Sequence, residues 1–177
     1  MALIDKLLER ASGVLLTFAG IVIMVMMLHI TADVLAKVLL NHPIIGTLEF
    51  VAVIYMVATI FPALPHVQWG RGNIIVELFT QKLPAQQRLG LDALGALLTF
   101  VYLGLIAWMG AETAWHRTTI GETQDATFFE VPVWPSRWVL VVGAAFAALI
   151  ALHQFIDDTR FLATGKRTRA SLGNHPI

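Results

Sequence analysis

WVLVVGAAFAALIALHQFI, residues 138–156, runs nineteen positions without an Asp, Glu, Lys or Arg and lacks the polar stripe of a soluble surface helix. A helix rising about 1.5 Å per residue needs about twenty such positions to cross a hydrocarbon core roughly 30 Å thick. Three further stretches meet the same condition: Ala11 to Ala32, Phe50 to Gly70 and Ala93 to Ala111. Hydrocarbon offers no water to unpaired backbone groups, so each stretch must bond its own peptide groups as helix. The chain reads as an all-α integral membrane protein with four transmembrane helices, at about 12–36, 47–69, 90–112 and 136–157.

Composition agrees: 57% of residues are hydrophobic, 14% are charged and the mean hydropathy is +0.73, far from an ordinary soluble domain. The 177 residues leave room for one domain, 1–163, followed by a polar segment, 164–177, too poor in apolar residues to pack and expected to be a flexible tail. Zero net charge and the lack of a basic stripe with interleaved aromatics exclude a nucleic-acid surface. Without Cys there is no disulfide, thiolate metal site or cysteine nucleophile. The first apolar stretch exceeds a signal peptide's apolar core of about 7 to 15 residues and no small-residue cleavage pattern follows, so it is expected to be retained.

Cation placement sets the orientation. With the amino terminus inside, nine cations face the cytoplasm (Lys6, Arg10, Arg71, Lys82, Arg88, Arg160, Lys166, Arg167, Arg169) against three outside (Lys37, Arg117, Arg137). The positive-inside rule then puts both termini in the cytoplasm. Trp69, Trp108, Trp115, Trp134 and Trp138 all fall near span ends, where indoles anchor at the interface. Two amphipathic stretches are expected to lie as interfacial helices. One precedes span one, with Leu3, Ile4, Leu7, Leu8 and Ala11 opposite Asp5, Lys6, Glu9 and Arg10; the other, between spans two and three, carries Ile74, Ile75, Leu78, Phe79 and Leu83 on one face. The alternative is that each extends its neighbouring span or packs on a partner.

A carrier that works alone holds its solute with polar groups or broken helices at mid-depth. Here the ionisable residues stand at span ends, as with Asp33, Lys37, Glu49, Asp92 and Glu112. Pro62 and Pro65 read as a kink that shapes a contact surface. His66 and His153, near one side of the membrane, could in principle ligate haem b as a bis-imidazole pair, against the plainer reading of hydrogen-bonded span-end histidines. No metal or cofactor is expected. Gly143, Ala144, Ala147, Ala148 and Ala151 recur at spacings of three and four, so span four is expected in a close helix contact, either within the chain or with another polypeptide.

Gly46-Thr47-Leu48-Glu49 opening span two, Arg71-Gly72-Asn73-Ile74-Ile75-Val76-Glu77 after it, Leu83-Pro84, and Val131-Pro132-Val133-Trp134 before span four resemble the small membrane subunit of tripartite ATP-independent periplasmic (TRAP) transporters, the DctQ-like family. The likeness runs from span one to the end of span four. Two positions depart from the pattern, which often has His where Asn73 stands and Asp where Glu77 stands. The resemblance implies a scaffold subunit of a sodium-coupled importer of an organic anion such as a dicarboxylate, another carboxylate or a sugar acid. Its implied partners are a large membrane subunit, a transiently docking periplasmic binding protein and the lipids of a bacterial inner membrane. The alternative function is a four-helix anchor of a haem b or quinone-linked redox enzyme.

Within that frame, Gly46 and Glu49 read as the N-cap and third residue of span two, where a carboxylate meets the favourable end of the helix dipole. The rival is that Glu49 pairs with a cation on a partner. Arg71, Gly72 and Asn73 read as a cytoplasmic turn with Asn73 capping the helix that carries Glu77, against direct contact with the large subunit or a lipid headgroup. Pro132 and Trp134 are expected to set the angle and depth at which span four returns.

Overall fold

The computed structural model describes residues 2–70, 85–126 and 129–164. Helix α1 spans Ala2–Leu40, α2 spans Thr47–Trp69, α3 spans Ala85–Thr119 and α4 spans Trp134–Thr164. All four are long and apolar enough to cross a membrane. A two-stranded antiparallel hairpin, β1 (Thr123–Ala126) and β2 (Phe129–Pro132), joins α3 to α4, pairing Gln124 with Val131 and Asp125 with Glu130.

The helices outrun the apolar stretches that define them. At 39 residues α1 is about 58 Å long, nearly twice a hydrocarbon core. Its amphipathic first turns run on into the span without a break, so that stretch extends span one instead of forming a detached helix. Helices α3 and α4 likewise continue past 90–112 and 136–157 at both ends. Charged and polar residues mark where lipid stops, but Glu, Lys, Arg and Gln are good helix formers, so the helix does not stop with it. The second amphipathic stretch and the tail from 165 onward lie outside the described residues.

Packing is a row, not a closed bundle. Helix α1 lies on α2, α2 on α4 and α4 on α3, while α1 touches α4 only sparingly. Helices α2 and α3 scarcely meet, and a crevice of about 400 Å³ lined by Leu64, Val67, Gln68, Leu98, Thr99 and Tyr102 separates them. As an inner member of the row, α4 gives more of the buried apolar residues than any other helix: Ala144, Ala147, Ile150 and Ala151 are fully covered. The edge helices α1 and α3 leave large apolar residues such as Met24, Leu28, Leu98 and Leu105 exposed. Acyl chains solvate such surfaces as well as protein does, so they carry no penalty in a bilayer.

Within α2 the residues Val51–Tyr55 form a π-helical turn between α-helical Thr47–Phe50 and Met56–Trp69. Pro62 and Pro65 both sit inside the second α-helical part and are buried. Neither the π turn nor the hairpin was foreseen from the sequence. A two-stranded ribbon is marginal by itself and needs tertiary support.

Candidate functional site

The seam between α2 and α4 is set by absent side chains. A Cβ on Gly143 would stand 2.3 Å from the carbonyl oxygen of Phe61 and 2.5 Å from its carbonyl carbon, closer than real Cβ atoms come to backbone. Gly143 therefore admits the α2 backbone directly, and Ala144, Ala147, Ala148 and Ala151 are buried along the same helix. The contact is internal to this chain, between α4 and its two neighbours. Further along, the seam is polar: the Gln68 side-chain amide donates to Gln154 Oε1 at 2.8 Å, and the Gln154 amide donates to the Gln68 carbonyl at 2.7 Å. Both glutamines are buried, so two helices without a hydrophobic drive to associate are joined by mutual satisfaction of polar groups.

At the hairpin end, Glu122 takes two hydrogen bonds from the Arg137 guanidinium, the one from its terminal nitrogen at 2.8 Å, and has Arg117 3.6 Å away. The Arg137 hydrogen bond holds the Glu122 carboxyl below the usual carboxylate range; the charges of Arg137 and Arg117 act the same way, while partial burial opposes them. Trp138 Nε1 donates to Thr118 Oγ1 at 3.0 Å, and Val133 N–H donates to the Glu122 carbonyl at 3.0 Å. Together with nearly complete burial of Val131, these bonds fasten the hairpin to the ends of α3 and α4.

On the same side, Gly46 is the N-cap residue of α2 at φ 90°, a left-handed conformation open to glycine, and Glu49 lies half-buried in the first turn. The Gly46 carbonyl accepts from Phe50 N–H at 3.0 Å. His29 of α1 and Tyr55 of the π turn make a 3.1 Å hydrogen bond between Nδ1 and the phenol, with their rings edge to face. Pro132 ends β2 and Trp134 opens α4, both exposed. Trp108 and Trp115 are exposed on α3, whereas Trp69 and Trp138 are half-buried. Arg71, Gly72, Asn73 and Glu77 lie outside the described residues.

At the opposite end, where α1 begins and α4 closes, the structure assembles a group that sequence reasoning missed. His153 Nε2 lies 3.0 Å from Asp5 Oδ1, and His153 Nδ1 lies 3.6 Å from Asp157 Oδ2. The i,i+4 pair His153 and Asp157 was visible in the sequence, but Asp5 reaches it only because α1 and α4 dock. His66, conceived above as a partner of His153, is exposed, while His153 is directed at the two carboxylates.

Between Arg10 and Asp33, Glu49 and Arg71, Asp92 and Glu112, and Arg137 and Asp157 the chain has no charged side chain. Such helices can brace a neighbour and anchor at two interfaces, but offer no ionic grip at mid-depth. The family profile described as the DctQ component of tripartite ATP-independent periplasmic transporters matches residues 26–161, well over half of the chain. No curated protein and no solved structure gives a significant match. Four apolar helices, a tightly packed inner span and that profile agree, and the redox-anchor alternative falls with them: this chain belongs to the DctQ family of TRAP transporter small membrane subunits.

Proposed function

We propose that this multi-pass inner-membrane chain is the scaffold of its transporter, bracing a large membrane subunit that carries an organic anion inward with sodium while a periplasmic protein delivers it. The observation that carries the reading is the charge-free middle of all four spans, combined with polar fasteners at both ends. Such a body keeps its place in a bilayer and leaves solute chemistry to a partner. Both termini then face the cytoplasm, under the nine-to-three division of cations. Arg71, Gly72, Asn73 and Glu77 then belong to the cytoplasmic side of the sequence, and Gly46, Glu49, Pro132 and Trp134 face the periplasm beside the docking binding protein. The exposed tryptophans set the depth of the row.

The test is reconstitution. The chain alone in liposomes takes up no solute under a sodium gradient, and with the large subunit and binding protein it supports sodium-dependent uptake of an organic anion. Sodium-driven uptake by the single chain would refute the scaffold reading, as would failure of a tagged copy to co-purify with a large permease subunit.

A further inference from the structure

We propose that Asp5, His153 and Asp157 form a site for one divalent transition cation, Zn²⁺ by class, that pins the first turns of α1 to the last turns of α4. One donor atom from each residue lies within 4.8 Å of the other two. Bonds of roughly 2.0 to 2.2 Å set ligand atoms roughly 3 to 4 Å apart, so small rotamer movements close the set around a cation. The His153 Nε2 and Asp5 Oδ1 separation of 3.0 Å already has the length of a coordination edge.

Burial supplies the second, independent observation. The Asp157 side chain is 2% exposed, and neither of its oxygens accepts a hydrogen bond from any described residue. Asp5 Oδ1 and both ring nitrogens of His153 are also buried without a hydrogen bond of acceptable geometry. Buried polar atoms are almost always satisfied, and a cation taking one ring nitrogen of His153 and one oxygen from each carboxylate would satisfy three of these atoms together. Two carboxylates and a neutral imidazole carry two negative charges, which one divalent cation cancels and a sodium ion would not. The ring nitrogen favours zinc-like cations over magnesium or calcium, which prefer all-oxygen shells. Asp158 and Arg160 are engaged with other groups and are not counted as ligands.

Location gives the site a role. Helix α1 meets α4 only sparingly, so a bond through Asp5 is a leading means of holding α1 against the inner helix. A cation there would be a staple between the edge and the centre of the row.

The experiment uses the full chain in detergent, with its affinity tag removed and metal stripped by EDTA. Co²⁺, titrated as the spectroscopic stand-in for Zn²⁺, is expected to produce d–d absorption bands saturating at one equivalent per chain, with Zn²⁺ displacing it and raising the thermal midpoint. D5N, D157N and H153Q each weaken binding by roughly 10–100-fold or more, at least the cost of losing a group behind a metal ligand. H66N, altering an exposed histidine, leaves it unchanged. Uptake by the D5N/D157N double variant equal to wild type would mean adventitious surface binding only and overturn the proposal. Should the variants not fold, the wild-type titration decides alone: without saturable bands the cluster holds no cation, and the site does not exist.

Discussion

Gly143 and the glutamine pair show how few atoms hold α2 against α4. Even the methyl of G143A has to displace the Phe61 backbone, because the clash is with main chain and no rotamer relieves it. We expect G143A to cost about 1–3 kcal/mol, read as a lower thermal midpoint in detergent. Replacing Gln154 with leucine strips the buried Gln68 amide of its acceptor, with an expected loss of about 1–2 kcal/mol. The double variant Q68L/Q154L removes both polar groups and should recover part of that loss. A double variant worse than the sum of the singles would show that the pair does not act through mutual satisfaction. The small-residue spacing on span four was legible in the sequence; its partner, the Phe61 backbone, was not, because a bare glycine states that something comes close without stating what.

At the scale of elements, the hairpin between α3 and α4 depends on Glu122, whose carboxylate joins the strand side of the turn to Arg137 in α4. E122Q should loosen the hairpin at a cost of about 1 kcal/mol, modest because Arg137 is a third exposed. The pH dependence has a definite sign. The Glu122 carboxyl is held below its ordinary value, so its contribution is fully present above the unfolded-state value of about 4.3 and is lost as pH falls through the lower folded-state value. The stability difference between wild type and E122Q, followed by thermal unfolding at each pH, should be flat from neutrality to about pH 5 and shrink below the unfolded-state value. A difference that grew on acidification would contradict the assigned partner. The strand pairing was not legible in the sequence: strands only four residues long carry little local signal, and tertiary contacts from Glu122 and Val131 hold them. The π turn of α2 is similarly a product of context, placed where Tyr55 meets His29 across to α1.

For the whole molecule, the row α1–α2–α4–α3 makes a geometric prediction that the natural absence of cysteine makes easy to check. Introduced pairs Q68C/Q154C and G110C/V141C, which sit across the α2–α4 and α3–α4 seams, should cross-link readily in membranes. A pair on the two edge helices, such as M24C/L105C, should not, since α2 and α4 stand between them. Efficient coupling of α1 to α3 within one chain would mean a closed bundle and overturn the row.

The number of spans, the all-helical class and the charge-free middles were determined by sequence alone, because lipid is a uniform solvent that tests each segment one residue at a time for charge and length. Motif order was enough to point to the family for the same local reason. Which helix lies in the centre, why Gly143 is bare, and how Asp5 comes to face His153 and Asp157 were decided only by tertiary structure. Inside a membrane, helix neighbours are chosen by shape and by polar groups finding each other across large sequence separations, and no periodicity along a single helix encodes that choice.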